Sequence, residues 1–157
     1  MAASGVNLPN FVFRFDALLQ YRRHRRDLCR QVLAQVLADD RALVEQRQLL
    51  EQNRISQLQQ LRQIVGDGEV NVDAAASRRY FAGRLVADIA DTERNRDLVS
   101  QQIEVCRAVL TKADQDVKVL EKLREQRQAE FLYEEDRRST RELEDNWMAT
   151  RLAGSEI

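Results

Sequence analysis

The sequence predicts an all-α protein, a long antiparallel two-helix coiled-coil hairpin. From residue 85 to residue 131, seam positions that are mostly apolar recur every three or four residues, which is the repeat of a left-handed coiled coil. The 157 residues include one Pro and five Gly, and 32% of them are charged, as in long helices. Residues 66–69, with the sequence Gly-Asp-Gly-Glu, form the clearest turn signal.

A first helix is predicted over residues 11–65. Residues 1–10 are small and polar, contain the proline, and are expected to form a flexible lead-in that ends at Asn10, a candidate N-cap. The seam of this helix is weaker than that of the second helix because polar residues interrupt it. Its predicted members are Phe15, Leu18, Leu19, Arg22, Cys29, Leu33, Val36, Asp40, Leu43, Arg47, Leu50, Leu58, Leu61 and Ile64.

A second helix is predicted over residues 73–149. It follows a turn over residues 66–72, with Asn71 or Asp73 as its cap, and precedes a frayed tail over residues 150–157. Its predicted seam consists of Leu85, Ile89, Thr92, Arg96, Val99, Ile103, Cys106, Leu110, Ala113, Val117, Leu120, Arg124, Arg127 and Phe131.

A short connection between two long helices makes them antiparallel neighbours. A turn centred on residues 67 and 68 then fixes which residues face each other. In this register Asp40 lies opposite Arg96, which neutralises two charges in the seam. The other pairs that it predicts include Phe15 with Leu120, Leu19 with Val117, and Cys29 with Cys106, the two cysteines being expected as reduced core residues.

The residues needed for most catalytic and cofactor chemistry are missing from the sequence. There is no glycine-rich phosphate loop, and one His with two distant Cys residues gives neither a zinc site of the usual spacing nor a histidine relay. We therefore expect no enzyme activity, no cofactor and no metal.

Charge and hydropathy narrow the range of partners. The net charge is −1, so there is no basic excess for nucleic acid. No apolar run is long enough to cross a bilayer, and no signal peptide pattern opens the chain. We expect a cytoplasmic protein that neither binds nucleic acid nor inserts into a membrane.

The second helix is predicted to be longer than the first, so its C-terminal end is expected to be exposed. Tyr133, Leu143 and Trp147 lie on this extension and are candidates for a partner surface. Trp147 and Phe131 could instead cap the hairpin, although the first helix ends too soon to cover them.

Three segments together resemble the bacterial flagellar export protein family FliJ, which is similar to the stalk proteins of injectisome type III secretion. The first is FVFRFDALLQYRR at residues 11–23, and the second is VDAAASRRYFAGRL at residues 72–85. The third is VLEKLREQR at residues 119–127, followed by RELED at 141–145. The resemblance covers about residues 11–147.

The resemblance implies a fold similar to the central shaft of the rotary ATPases and a non-enzymatic role in type III export. It implies that the chain binds and stimulates the hexameric flagellar export ATPase and links it to the cytoplasmic domain of the export gate. Chaperones of late export substrates are further implied partners. The implied location is cytoplasmic, peripheral to the inner membrane at the base of the flagellum.

The resemblance also implies two sets of contact residues. Early in the second helix, the positions that match the family's export-gate contacts are Phe81, Leu85, Asp88 and Thr92, of which the last two depart from the family pattern. The implied contacts with the ATPase ring lie at the paired helix ends, the tip: Phe13, Phe15, Leu18, Leu19, Arg22, Leu120, Leu123, Arg127 and Phe131.

Several alternatives remain open. Leu85 lies on the seam and is expected in the core, whereas Phe81 is one turn earlier and free for a partner or the loop. The basic run at residues 22–26 wraps around its helix, which favours a solvated end or an acidic ATPase surface over lipid or nucleic acid. As a whole, the chain could instead be an escort chaperone for late substrates, a structural coiled coil that homodimerises or, more remotely, a nucleic-acid binder.

Overall fold

Two long helices account for almost all of the described chain. The computed structural model describes residues 10–66, 68 and 71–154. Helix α1 runs over Asp16–Gly66 and helix α2 over Val72–Gly154, and no strand occurs within these described residues. The helices pack against each other, which confirms the predicted all-α hairpin.

The chain divides into two compact units, each made from a part of both helices. The turn unit comprises residues 27–112, and the terminal unit comprises residues 1–26 together with residues 113–157. Both units bury a narrow seam rather than a wide core, as expected where two helices meet with no third element.

In the turn unit, polar contacts between the helices show their antiparallel direction. Asp40 Oδ1 accepts a hydrogen bond from Arg96 Nε at 3.0 Å, and Gln57 Oε1 accepts one from Arg78 Nη1 at 2.8 Å. As residue numbers rise along α1, those of the partners on α2 fall. The predicted facing of Asp40 and Arg96 is therefore confirmed.

The seam of α2 begins earlier than the sequence indicated. From Ala75 to Thr92 every third or fourth residue is at least half-buried, and the same spacing continues beyond the exposed Arg96 to the buried Ile103. The predicted seam starts at Leu85 because the preceding members do not stand out in a hydropathy pattern: Ala75 and Ala82 are small, and Arg78 is charged.

The terminal unit contains the best-buried side chains of the described residues. Leu19 and Val117 are fully buried and form one cluster with the buried Phe13. Leu120 and Leu123 pack against this cluster from α2. The predicted contact of Leu19 with Val117 agrees with this cluster.

The prediction that helix 1 begins at residue 11 with Asn10 as its N-cap is wrong. Helix α1 begins at Asp16, and the chain before it turns, with the Asp16 N–H donating to the Phe13 carbonyl at 3.1 Å. In a helix, side chains two positions apart point to different faces. A non-helical backbone lets both Phe11 and Phe13 reach the core cluster.

The same change of backbone alters the predicted pairing of Phe15 with Leu120. Phe13, not Phe15, belongs to the core cluster against which Leu120 packs. Phe15 remains 41% exposed, with its ring 5.8 Å from that of Phe13 in an edge-to-face arrangement.

The other element boundaries differ from prediction by a few residues. Helix α1 includes Gly66, and α2 starts at Val72 because Asn71 is the cap: its Oδ1 accepts a hydrogen bond from the Ala74 N–H at 3.1 Å. Between the helices, Gly68 has a φ of 81°, a conformation that favours glycine.

The C-terminal boundary also lies beyond the predicted one. Helix α2 continues through Gly154 instead of ending at residue 149, so residues 150–154 are helical and not frayed. Ala153 is a strong helix former, and Arg151 in the last turn interacts favourably with the helix dipole. Residues 1–9 of the predicted lead-in and 155–157 of the predicted tail lie outside the described residues.

Leu19 and Leu18 provide a matched test of the seam in the terminal unit. Leu19→Ala is expected to lower the free energy of unfolding by about 2 kcal/mol or more, because it empties a fully buried position. Leu18→Ala, at a neighbouring site that is 41% exposed, should cost less than about 0.5 kcal/mol. Urea unfolding followed by circular dichroism measures both. Equal losses would contradict the packing described for Leu19.

Charge exchange tests the register of the turn unit. Asp40→Arg places a second cation beside Arg96 and should lower the urea midpoint, whereas the exchanged pair Asp40→Arg with Arg96→Asp should restore it. Since both side chains are partly exposed, we expect a coupling of about 0.5 kcal/mol. Asp39→Arg is the control, because Asp39 is exposed and accepts a hydrogen bond from Gln35 on its own helix. No recovery in the double variant would argue against this register.

Candidate functional site

The sequence-derived tip residues fall into buried and exposed groups. Leu19 is 0% exposed and Phe13 is buried, so both hold the terminal unit together rather than face a partner. Phe15 and Leu18 are each 41% exposed. We call these two residues the N-terminal surface. Leu120 and Leu123 are half-buried and pack from α2 against the core cluster of Phe13, Leu19 and Val117.

The basic run at the start of α1 is paired with carboxylates of α2. Arg22 Nη1 lies 2.5 Å from Asp116 Oδ2, and Arg23 Nη2 lies 2.7 Å from Glu121 Oε1. Arg26 lies 4.0 Å from Asp114 in the same row. Three cations of the run are therefore engaged within the terminal unit, which weakens the interpretation as a nucleic-acid or lipid site.

Sequence reasoning missed the carboxylates that face the basic run. Asp114, Asp116 and Glu121 lie beside the apolar seam, where a hydropathy pattern carries no signal for them. The register predicted from the turn brings the run opposite residues 109–114, which reaches Asp114 but stops about two helical turns short of Glu121. A further ion pair between the helices has the opposite arrangement: Arg124 of α2 lies 3.7 Å from Asp16 of α1.

Beside the N-terminal surface lies an open groove of about 570 Å³. Phe11 and Phe131 meet across it with ring centroids 5.7 Å apart, and Arg127 forms an ion pair with Glu130 at 2.9 Å on its rim. The complete lining is Phe11, Val12, Phe13, Arg14, Phe15, Arg127, Glu130, Phe131 and Glu134.

The four residues matched to gate contacts are divided by the seam of the turn unit. Phe81, 54% exposed, and Asp88 lie on the surface, while Leu85 is half-buried in the seam. Thr92 is buried, and its hydroxyl donates to the Asp88 carbonyl at 2.8 Å. Tyr80, which sequence reasoning missed, is exposed and contacts Phe81 edge-to-face at 6.0 Å. We call Tyr80, Phe81 and Asp88 the Phe81 surface.

The end of α2 carries a third group of exposed residues. Tyr133, Leu143 and Trp147 are all exposed, as the sequence predicted, and Trp147 is 59% exposed. The guanidinium of Arg137 lies 5.8 Å from the Tyr133 ring centroid, and that of Arg151 lies 4.9 Å from the Trp147 centroid. We call these five residues the C-terminal surface.

Among the described residues, a shifted pKa is found for Glu51 and Arg54. Hydrogen bonding from Arg54 lowers the pKa of Glu51, and the pKa of Arg54 is raised by the same contact. In the described ranges no group of three or more His, Cys, Asp or Glu side chains is placed to hold a metal ion. The described helices also lack a stretch long and apolar enough to cross a membrane.

A helical hairpin with a thin seam and exposed aromatic surfaces defines a two-helix coiled-coil protein. The family model described as "Flagellar FliJ protein" matches residues 11–154. The chain therefore belongs to the FliJ family and is a component of the flagellar export apparatus. Comparison with curated proteins and with solved structures finds no match.

The chain's one tryptophan makes the C-terminal surface directly measurable. Trp147 should emit like a solvated indole and should be quenched efficiently by iodide, because the Arg151 guanidinium above the ring attracts an anion. Arg151→Gln should lower quenching by iodide and leave quenching by neutral acrylamide unchanged. Arg138→Gln, an ion-paired site on the same helix, is the control. A loss of both kinds of quenching would contradict this arrangement.

Proposed function

We propose that this chain is a non-enzymatic stalk that binds and stimulates the flagellar export ATPase ring and links it to the membrane export gate. The observation that carries the proposal is the match to the FliJ family over nearly the whole chain, residues 11–154. In this role the protein is cytoplasmic and associates peripherally with the inner membrane at the base of the flagellum.

The N-terminal surface is the proposed contact with the ATPase ring. Phe15 and Leu18 offer apolar area that a ring subunit can bury, and the core beneath them, Leu19 and Val117, holds them in place. The Arg22 side chain is 32% exposed in its pair with Asp116, which leaves a part of the guanidinium for a ring carboxylate to contact. Arg127 and Phe131 contribute the far side of the adjoining groove.

The Phe81 surface is the proposed contact with the cytoplasmic domain of the export gate. Phe81 and Tyr80 form an exposed aromatic pair, a residue type that is enriched in interfaces. Leu85 and Thr92 act from the seam, because they fix the rotation of α2 that turns Phe81 outwards. The role of these two residues is therefore structural support of the contact.

The proposed stimulation is allosteric. A bound stalk changes turnover only if it contacts the conformations of the ring subunits with different affinities. A single asymmetric stalk meets each subunit of a ring differently, which supplies such a difference. The chain needs no catalytic group for this role.

An ATPase titration tests the ring contact. Hydrolysis by the cognate export ATPase should rise and saturate near one chain per hexamer. The double variant Phe15→Glu with Leu18→Glu should abolish most of the rise, because charged side chains cannot enter an apolar contact without a large desolvation cost. The control is Leu28→Glu with Val32→Glu, two exposed apolar positions further along α1. Equal loss in both variants, or full activity in the first, contradicts the proposed surface.

Gate binding is tested on the purified cytoplasmic domain of the export gate. Phe81→Glu should weaken binding about tenfold or more, since burial of an aromatic side chain contributes roughly 1.5–3 kcal/mol. Val86→Glu changes a similarly exposed apolar residue on the same helix and should bind normally. Thermal unfolding of both variants establishes that the hairpin is intact. Unchanged binding by the Phe81 variant would reject this contact.

A further inference from the structure

The apolar stripe of α2 changes its face after Phe131. Continuing the seam beyond Phe131 at the same three- and four-residue spacing leads to Glu134, Arg138, Arg141 and Asp145, which are all charged and exposed. The seam used by α1 therefore ends, and the helix continues for over twenty residues with a different face made apolar.

That new face lies along Tyr133, Leu143 and Trp147. Tyr133, Thr140 and Trp147 recur at seven-residue intervals, and Leu143 and Thr150 flank them. The hydroxyl of Thr140 donates to the Asp136 carbonyl at 2.9 Å and that of Thr150 to the Asn146 carbonyl at 2.8 Å. Because both hydroxyls are satisfied by their own helix, the two threonines add methyl groups to the face rather than unmet polarity.

One flank of this face repeats an aromatic–arginine unit. Tyr133 with Arg137 and Trp147 with Arg151 have the same four-residue spacing and lie two heptads apart. Within the described residues neither guanidinium forms an ion pair, whereas the neighbouring Arg138 pairs with Glu135 and Glu142. Two cations are thus held against aromatic rings on the flank of an apolar face, with their charge available to a partner.

From this geometry we propose that the C-terminal surface binds an acidic amphipathic helix of a partner protein. The partner's apolar seam covers Tyr133, Leu143 and Trp147, and two of its carboxylates, two heptads apart, pair with Arg137 and Arg151. The intervening position on this chain is Glu144, so the partner carries no carboxylate in its middle heptad. Asp136 is the carboxylate on the stripe itself, and it lies at the Tyr133 end. The pair of Trp147 with Arg151 therefore contributes most to binding.

Two other occupants fit this face less well. A second copy in parallel would set Asp136 against its own counterpart, a like-charge contact, and an antiparallel copy in the register centred on Glu144 would set Arg137 against Arg151. Other antiparallel registers are tested by the dependence of the Trp147 emission on protein concentration. The chain's own residues 1–9, MAASGVNLP, contain no acidic side chain to face the arginines. An acidic helix meets both the apolar and the charged part of the surface.

The test uses the full chain, with Trp147 fluorescence as the readout. The probes are two stapled helical peptides of three heptads with a leucine seam, identical except at two flanking positions two heptads apart. These positions carry Glu in the acidic peptide and Lys in the basic peptide. The acidic peptide should cause a saturable blue shift of the Trp147 emission, with a Kd at least about tenfold lower than that of the basic peptide. High salt should reduce this difference in Kd, because it screens the charges on both partners.

Two paired variants identify the groups responsible. The double variant Arg137→Glu with Arg151→Glu should reverse the preference between the peptides. Arg138→Glu with Arg141→Glu, an equal charge change on the same segment, should leave the acidic peptide preferred. Binding of neither peptide, or equal binding of both, overturns the proposal. So does a blue shift without peptide that grows with protein concentration, which would identify a second copy as the occupant. An emission that is already blue-shifted and moves to the red when residues 1–9 are removed would likewise overturn it.

Discussion

The thin seam between α1 and α2 is the constraint on which the rest of this protein depends. Two helices without a third layer can shield little more than one line of side chains from water, so the described core reduces to a few buried positions such as Leu19 and Val117. The other apolar side chains of the described helices remain at least partly exposed. In a protein of this design, partner surfaces need no pocket or cleft, because they consist of the residues that the seam does not cover.

The architecture follows from the sequence because its signals are local and repeated. The heptad spacing of α2 and the Gly-Asp-Gly turn predict the hairpin, and the turn predicts the register that brings Asp40 to Arg96. The start of α1 could not be read in the same way. Helix propensity allows residues 11–15 to continue the helix, and it is the packing of Phe11 and Phe13 against α2 that overrides it.

The functional residues were harder to predict because their roles also depend on packing between the helices, which a local pattern does not contain. A heptad pattern does not separate side chains that hold the seam from those that a partner meets, so the proposed tip mixed the buried Leu19 with the exposed Leu18. Likewise, Thr92 is a seam residue although it belongs to the set matched to gate contacts. The arginine–aromatic stacks near the C-terminus depend on side-chain conformation, which four-residue spacing permits but does not specify.

The run of charged residues that continues the seam after Phe131 also governs how the two helices can move. If α1 slid along α2 by one heptad towards the C-terminus, Leu19 would leave Val117 and face Arg124, and Phe11 would leave Phe131 for the charged stretch around Arg138. The first exchange sets a buried leucine against an arginine, and the second moves an aromatic ring from another ring to charged side chains. Slippage in this direction is therefore opposed in the terminal unit. An axial force that pushes α1 in this direction is therefore transmitted to α2 through their packed side chains instead of being lost as sliding between the helices.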